Sequence, residues 1–259
     1  MFLEGVGPRV FAHRGLSLDA PENTLLAFRH ALMAGATHIE TDVHASADGI
    51  AVLSHDADCN VAGTRIRLER LTMEELRRVG LGKGQSFSSL REGLDAFPDA
   101  RFNIDVKSAA AAQATAAAVS AAGAIGRVLI TSFSENRRQQ TVGLLPGVAT
   151  SASASVIGRS VLAARLGMAA PLRLFLKGIV AVQVPESVRS LRILTPRFIR
   201  AVHAAGVEVH VWTVNDPDDM NRLMDLGVDG LVTDRCDLAV SVIAARTWES
   251  PPRNDVTER

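Results

Sequence analysis

Cysteine is scarce in this chain of 259 residues, which contains only Cys59 and Cys236. The two stand alone, without a Cys-x-x-Cys pair or an even series of spacings, so no disulfide framework is indicated. Two distant thiols could still form one bridge. The cysteine usage favours a reducing compartment, and we expect a cytoplasmic protein.

Excess charge of either sign is also absent, because Lys+Arg and Asp+Glu number 28 each. A chain without a global field does not generally attract nucleic acid or an anionic bilayer. We therefore expect a small-molecule partner and no nucleic acid, with any phosphate recognition arising locally.

Targeting and membrane-spanning segments are missing as well. The N-terminus has neither a basic region nor an apolar run and does not resemble a signal peptide. The most apolar later stretch, 161–184, is interrupted by Arg165, Pro171, Arg173 and Lys177. A transmembrane span needs about 20 predominantly apolar residues, so none is predicted, while a peripheral lipid contact at this stretch stays open.

No linker rich in proline, glycine or serine divides the chain, and 47% of its residues are hydrophobic. This composition predicts one barrel-sized domain over residues 1–247. Residues 248–259 are polar and contain proline. We expect them to form a frayed or disordered tail.

Short β-branched runs alternate with longer alanine- and leucine-rich stretches of helical periodicity. Eight such repeats in about 250 residues favour an α/β fold of the TIM (β/α)8 type. No Gly-x-Gly-x-x-Gly fingerprint opens a helix, which weakens the Rossmann alternative. The predicted strands are 9–12, 38–43, 101–107, 127–131, 147–151, 179–183, 207–213 and 229–233, and clear helices are 24–34, 108–122, 196–205 and 217–226.

One region, 45–85, breaks the alternation. Asp48-Gly49 lies between short extended runs and predicts a hairpin, so we expect a small hairpin and loop insertion after strand 2 on the C-terminal rim. The glycine-rich run 80–84 lacks the spacing of a phosphate-binding loop. We interpret it as a flexible connector.

Strand alternation predicts that three carboxylates lie together, because residues two apart in a strand point to the same side. Glu40 and Asp42 share a face of strand 2, and Asp105 and Lys107 share a face of strand 3. Converging at the C-terminal rim, the carboxylates would repel one another unless a cation lay between them. Their oxygens suit Mg²⁺ or Ca²⁺. The alternative is that they cap the rim or pair with neighbouring arginines.

Two histidines lie in segments that converge on the same rim. His13 ends strand 1 and His55 ends the hairpin run, so one could deprotonate a nucleophile while the other protonates a leaving oxygen. Arg14 and Lys107 would supply positive charge for a phosphate. The alternatives are structural histidines and rim ion pairs.

Supporting residues complete the predicted site. Glu22 is expected to brace the Arg14 loop, whereas Asn23 and Thr24 read as helix caps. His44 continues the face of Asp42 and could reach the metal or substrate. His210 and Trp212 share a face of strand 7, where Trp212 could stack on a substrate or simply pack in the core.

With these residues in place, the chain resembles the glycerophosphodiester phosphodiesterase family. The matching motifs occur in order along nearly the whole chain, and together they are highly specific. They are His-Arg-Gly (13–15), Pro-Glu-Asn-Thr (21–24), Glu-Thr-Asp-Val (40–43), Asp-Gly (48–49), His-Asp (55–56), Asn-Ile-Asp-Val-Lys (103–107), Val-Trp-Thr-Val-Asn (211–215) and Gly-Val-Asp-Gly-Leu-Val-Thr-Asp-Arg (227–235).

The resemblance implies a TIM barrel that uses a divalent cation to hydrolyse glycerophosphodiesters to sn-glycerol 3-phosphate and an alcohol. It makes His13 and His55 the acid and base. It makes Glu40, Asp42 and the third-strand carboxylate the metal ligands, with Arg14 and Lys107 at the phosphate. In family terms the substrate's glycerol hydroxyl attacks phosphorus first, and water then opens the cyclic product.

One residue departs from the family pattern, because the third ligand is often Glu and here it is Asp105. Its shorter side chain could change the metal preference or interpose a water. A Glu/Asp/Asp set also resembles lysophospholipase D and sphingomyelinase D barrels, so cleavage of lysophospholipids is the alternative function. A non-catalytic binding barrel is the least favoured alternative.

Overall fold

Eight parallel strands form a barrel wall in the computed structural model, which describes residues 2–5 and 7–249. Numbered in chain order, they are β1 (Arg9–His13), β2 (His38–Ala45), β3 (Arg101–Val106), β4 (Val128–Thr131), β5 (Ala149–Thr150), β6 (Ala181–Val184), β7 (Glu208–Val211) and β8 (Gly230–Thr233). Pairing runs β5-β4-β3-β2-β1-β8-β7-β6. A parallel bridge between Ser151 and Ala181 joins the two ends. The predicted TIM barrel and its eight strands are confirmed.

Helices connect the strands, and several pack on the outside of the wall. The predicted segments 24–34, 108–122, 196–205 and 217–226 correspond to α1, α4, α8 and α9 in the following series. The helices are α1 (Leu25–Met33), α2 (Met73–Arg77), α3 (Leu90–Ala96), α4 (Ala109–Ala121), α5 (Glu135–Gly143), α6 (Ala154–Leu166), α7 (Ala169–Phe175), α8 (Pro196–His203), α9 (Pro217–Leu226) and α10 (Cys236–Glu249).

Local sequence signals explain where several helices begin and end. The Thr24 hydroxyl accepts a hydrogen bond from the backbone N–H of Ala27, which caps α1 as predicted. Proline opens α8 and α9, where the first turn does not need its missing N–H. Gly167 and Gly227 end α6 and α9 at φ of 74° and 93°, a left-handed conformation that glycine adopts without steric cost.

Apolar side chains fill both sides of the wall. Outside, strand residues such as Ile39 and Phe102 pack against the helices, and the small side chains of α4 join the same cluster. Inside, Phe2 and Phe11 help to fill the lower barrel. Gly230 is required there, because a Cβ at this position would lie 2.9 Å from ring atoms of both Phe11 and His210.

The insertion after β2 is confirmed, with more regular structure than the sequence indicated. Residues Ala51–Leu53 pair antiparallel with the end of β2 across the predicted Asp48-Gly49 turn. A second hairpin joins Asp58–Val61 to Thr64–Arg67. The run 80–84, predicted to be a flexible connector, instead lies in a third hairpin that pairs Gly80–Gly82 with Gln85–Ser86. This correction follows from glycines at positive φ, which permit the tight turn.

Both cysteines are buried free thiols, so the bridge that the sequence left open does not form. Among the described residues, no helix combines the length and the apolar character that a membrane span requires. Helix α10 continues to Glu249, two residues into the stretch predicted as a tail. The remainder of that stretch, 250–259, lies outside the described residues.

Candidate active site

A cavity of about 560 Å³ opens at the C-terminal rim of the barrel. Eight of the ten predicted site residues line it, and they come from β1, β2 and β3 or from the loops that follow strands. They are His13, Arg14, Glu40, Asp42, His55, Asp105, Lys107 and Trp212. The two others, Glu22 and His44, lie behind residues of the lining.

Strand register explains why the carboxylates converge. In the parallel pairing, His13 of β1 lies beside Glu40 of β2, and Asp42 of β2 lies beside Asp105 of β3. Glu40 and Asp42 are two residues apart and therefore point to the same side of the strand. All three carboxyl side chains are buried. The convergence predicted from alternation is present.

Lys107 holds two of the carboxylates together. Its Nζ lies 2.7 Å from Oδ1 of Asp42 and 2.7 Å from Oδ2 of Asp105. Burial opposes charge on Asp42, but Lys107, Arg14 and Asn23 together outweigh burial, so the pKa of Asp42 falls below its ordinary value. At Asp105 burial outweighs Lys107 and raises the pKa. Arg14 Nε lies 3.2 Å from the other oxygen of Asp42, so both predicted phosphate-binding cations already contact the acidic cluster.

Glu40 is the carboxylate with the least compensation. It accepts a hydrogen bond of 3.1 Å from the backbone N–H of Arg14, whose φ of 56° turns that N–H toward it. Burial, followed by the charges of Asp42 and Asp105, raises the pKa of Glu40 well above its ordinary value. Gly15 makes this turn possible, because a Cβ there would lie 2.7 Å from the backbone of Ala27.

The donor set fits a divalent cation. Oδ1 of Asp105 is buried and has no hydrogen-bond partner among the described residues, which is costly unless a cation lies against it. Carboxylate oxygens are the ligands that Mg²⁺ and Ca²⁺ prefer. Within residues 2–5 and 7–249, no three His, Cys, Asp or Glu side chains already surround one ion position. The Lys107 ammonium group instead bridges Asp42 and Asp105.

His13 is fixed by a residue that the sequence analysis did not assign. Its Nδ1 lies 2.7 Å from Oδ1 of Asp234, which follows β8. The hydrogen bond with His13 lowers the pKa of Asp234. Asn215 donates to the other carboxylate oxygen at 2.7 Å and accepts from the backbone N–H of Asp234. Asn215 belongs to the motif at 211–215 and Asp234 to the motif at 227–235, so the family motifs pointed to both residues. Strand alternation alone does not connect them to His13.

His55 lies on the loop after Ala51–Leu53 and is partly exposed at the cavity. Its Nδ1 is 3.0 Å from Oδ1 of Asp56. His44, which the sequence suggested could reach the metal or substrate, does not line the cavity, and its Nε2 lies 3.1 Å from the carbonyl oxygen of His55. Burial lowers the pKa of His44. His44 pairs with Val52 of the antiparallel hairpin strand, and the loop that follows this strand brings the carbonyl oxygen of His55 to its ring.

The loop before α1 contributes more than helix capping. Arg14 donates to both carboxylate oxygens of Glu22 at 3.1 Å, as expected for a brace. Asn23, interpreted as a cap only, is buried and donates to Asp42 at 3.2 Å. Its side-chain oxygen also accepts from the Thr41 hydroxyl at 2.7 Å. Its φ of 55° positions it inward, and this left-handed conformation is one that Asn tolerates well.

The opposite side of the cavity is apolar. Trp212 contacts Phe133 edge to face with ring centroids 5.9 Å apart. His210, which shares the β7 face with Trp212, does not reach the mouth but lies fully buried below it, 2.9 Å from Glu208. The rim thus has a charged half and an apolar half. The other apolar lining residues include Ile157, Pro185, Val188, Leu191 and Ile193.

Comparisons with known proteins agree with this arrangement. The glycerophosphoryl diester phosphodiesterase family model matches residues 13–238. A Mycobacterium tuberculosis protein named probable glycerophosphodiester phosphodiesterase 2 is 41% identical over 252 residues, which cover 96% of each chain.

Two solved structures share the fold. A glycerophosphodiester phosphodiesterase from Thermotoga maritima is 26% identical with a TM-score of 0.73, covering 92% of this chain and 100% of that one. An Oleispira antarctica phosphodiesterase in complex with the product sn-glycerol-3-phosphate is 21% identical with a TM-score of 0.74, covering 92% and 97%. The family match and the mycobacterial relative each extend over most of the chain, which therefore belongs to the glycerophosphoryl diester phosphodiesterase family and is a phosphoric diester hydrolase.

Proposed function

We propose that this protein hydrolyses glycerophosphodiesters to sn-glycerol 3-phosphate and an alcohol, in a metal-dependent reaction with two histidines as acid and base. The observation that carries the proposal is that His13 and His55 line the same cavity as three buried carboxylates and two cations. The sn-glycerol-3-phosphate held by the Oleispira phosphodiesterase is the product that such a site would release.

The histidines move protons between the substrate's oxygens. One takes the proton of the attacking glycerol hydroxyl while the other donates a proton to the departing alcohol oxygen, which leaves a cyclic phosphate. The roles then reverse as water opens the ring. Asp234 orients the His13 ring through Nδ1 and leaves the second ring nitrogen for the substrate. His55 has the same arrangement through Asp56.

Glu40, Asp42 and Asp105 would hold the divalent cation, Mg²⁺ or Ca²⁺. When bound, that ion supplies charge to stabilise the phosphoryl oxygens and to favour ionisation of the attacking hydroxyl. Arg14 and Lys107, which both contact Asp42, would add positive charge beside the bound phosphate. Trp212 and the apolar half of the rim exclude water and offer a stacking surface for the substrate's carbon skeleton.

The relatives do not favour the alternative of lysophospholipid cleavage, since the matching family and the mycobacterial protein carry glycerophosphodiesterase names. The non-catalytic alternative is wrong, because the chain belongs to an enzyme family. We also propose that the enzyme works in the cytoplasm, because both of its cysteines are free thiols.

The decisive experiment measures sn-glycerol 3-phosphate released from glycerophosphocholine and glycerophosphoethanolamine, with and without a chelator. Lysophosphatidylcholine is assayed in parallel. Chelator-sensitive release from the diesters supports the proposal. Release of lysophosphatidic or cyclic phosphatidic acid from the lipid alone would contradict it, as would activity that survives complete metal removal.

A further inference from the structure

Positive charge is concentrated in one segment of a chain whose formal net charge is zero. Residues 154–192 contain six basic side chains and a single acidic one, Glu186. All six basic residues are exposed. They are Arg159, Arg165, Arg173, Lys177, Arg189 and Arg192.

The basic side chains of this segment have no carboxylate partner within residues 2–5 and 7–249. In the described part of the chain, none of the six lies within ion-pair distance of an acidic group, whereas arginines elsewhere commonly do, as Arg91 and Arg246 illustrate. The one acidic residue of the segment, Glu186, is occupied by Arg222 of α9. Asp219, also on α9, pairs with the same guanidinium. The six charges are therefore available to an external anion.

Large apolar side chains are exposed between the cations. They include Leu166, which is 63% exposed, and Leu174, which is 68% exposed. We call the exposed basic and apolar side chains of 154–192 the basic-apolar face. Its apolar members are Leu162, Leu166, Met168, Leu174, Val188 and Leu191.

Helix geometry makes this face continuous with the cavity. Ala154 and Gly158 line the cavity mouth and are followed at four-residue spacing on α6 by Leu162 and Leu166. Residues four apart are neighbours along one side of a helix. The apolar lining therefore continues as a stripe from the cavity to the outer surface.

Contacts between the elements hold the face together. Arg165 donates to the backbone carbonyl of Arg192 at 2.9 Å, which links α6 to the 187–192 hairpin. The Arg159 guanidinium lies 5.2 Å from the ring centre of Phe175, which links α6 to α7. Two residues of the hairpin, Val188 and Leu191, line the cavity as well.

From this arrangement we propose that the basic-apolar face docks on the surface of an anionic phospholipid bilayer, with the cavity mouth beside the lipid headgroups. Exposed apolar side chains that alternate with Lys and Arg suit the headgroup boundary, where the former enter the acyl region and the latter meet anionic phosphates. The face does not suit self-association, because a two-fold interface would set these like charges against their own copies. Exposed leucines without an exposed aromatic among them do not favour single-stranded nucleic acid either.

The test is co-sedimentation of the full chain with vesicles of phosphatidylcholine alone or with about one third phosphatidylglycerol. Wild type is expected to bind the anionic vesicles and to be released by high salt. Arg173→Gln/Lys177→Gln should weaken binding about 25-fold, since each removed charge at ~1 kcal/mol corresponds to about fivefold. Leu166→Gln/Leu174→Gln should weaken it about tenfold or more.

Matched control variants carry the same types of substitution at exposed positions outside residues 154–192. Arg29→Gln/Arg70→Gln removes two exposed arginines, and Met33→Gln/Leu144→Gln removes two exposed apolar residues, all outside the segment. Both controls should bind as wild type does. Circular dichroism checks that every variant is folded.

Three results would overturn the proposal. They are no binding of wild type to the anionic vesicles, equal binding by face and control variants, and occupation of the face by another partner. The last would appear as a dimer in sedimentation velocity that only the face variants dissociate, or as oligouridylate binding in place of vesicle binding. Because the readout is vesicle binding, it is independent of whether glycerophosphodiesters are cleaved.

Discussion

Asp234 and His13 are 221 positions apart in the chain, yet Oδ1 of the first lies 2.7 Å from Nδ1 of the second. The contact exists because β8 and β1 are neighbouring parallel strands, so that the residues following them meet at one rim. A carboxylate in this position selects one tautomer of the imidazole and fixes the orientation of the ring. Asp234 is thus a positioning residue for the proposed acid-base pair.

We predict that Asp234→Asn lowers kcat by about 10² to 10⁴ with little change in KM, because the amide supports the wrong tautomer. Steady-state kinetics with glycerophosphocholine measure the two parameters separately. A matched Asp237→Asn change removes a nearby carboxylate that pairs with Arg235 outside the cavity, and its kcat should stay near the wild-type value. A wild-type kcat in folded Asp234→Asn would remove this residue from the mechanism.

His13→Ala and His55→Ala are each expected to reduce turnover by roughly 10² or more, the size of a general acid or base contribution. The double variant should lose less than the product of the two effects if the histidines act as a pair. His203→Ala is the control, because His203 lies on α8 and pairs with Asp229 away from the cavity. Near-normal turnover in a folded His13 or His55 variant would contradict its assignment.

Glu40→Gln should weaken metal binding about tenfold or more, since it removes one anionic ligand from a hard-oxygen site. Isothermal titration of the metal-free protein with Mg²⁺ or Ca²⁺ measures this without any substrate. The metal-free variant should melt no lower than wild type, because burial and two neighbouring carboxylates make the charge on Glu40 unfavourable. An unchanged metal affinity would exclude Glu40 as a ligand.

Acid sensitivity is expected from Glu208, which pairs with Arg9 at 2.7 Å and with His210 at 2.9 Å. Burial opposes its charge, but hydrogen bonds from Arg9 and His210 outweigh burial and lower the pKa of Glu208 from 4.5 to about 2. A lowered folded-state pKa stabilises the protein above the unfolded value, and this stabilisation is lost as pH falls from 4.5 towards 2.

The stabilisation amounts to about 1–2 kcal/mol at neutral pH by linkage, because solvent screens a partly exposed carboxylate. Urea unfolding of wild type and Glu208→Gln at several pH values tests it. The difference in unfolding free energy should be largest above pH 5 and should shrink towards pH 2. A difference that is independent of pH would show that packing, not ionisation, accounts for the effect of the substitution.

Gly230→Ala should destabilise the barrel by about 1–3 kcal/mol, because the added methyl group would lie 2.9 Å from Phe11 and His210. Gly126→Ala provides the control, since a Cβ at Gly126 has no neighbour within 4 Å and its φ is not positive. Thermal or urea unfolding compares the two. Equal stability of both variants would mean that the barrel interior can adjust around position 230.

Regular elements were predictable because each carries its own local signal. The eight strands are short β-branched runs, and helices such as α9 begin with a proline and end before a glycine. Alternation within β2 and β3 was enough to place Glu40, Asp42 and Asp105 together. Periodicity and parallel pairing were therefore sufficient to predict the cluster of three carboxylates.

The remaining contacts were harder to predict because they depend on tertiary structure. Asn23 resembles a helix cap in sequence, and only the position of β2 turns its side chain towards Asp42. His44 continues the Asp42 face, but the loop after the antiparallel hairpin strand brings the carbonyl oxygen of His55 to its ring. In both cases a neighbour distant in sequence decides the role of the side chain.

The two-residue strand β5 and the single bridge from Ser151 to Ala181 make one seam of the barrel wall much thinner than the rest. The strands that carry the charged groups, β8, β1, β2 and β3, are contiguous and lie across the barrel from this seam. The apolar wall borders it. We therefore expect any local opening of the wall at this seam to leave the strands of the charged groups in register with one another.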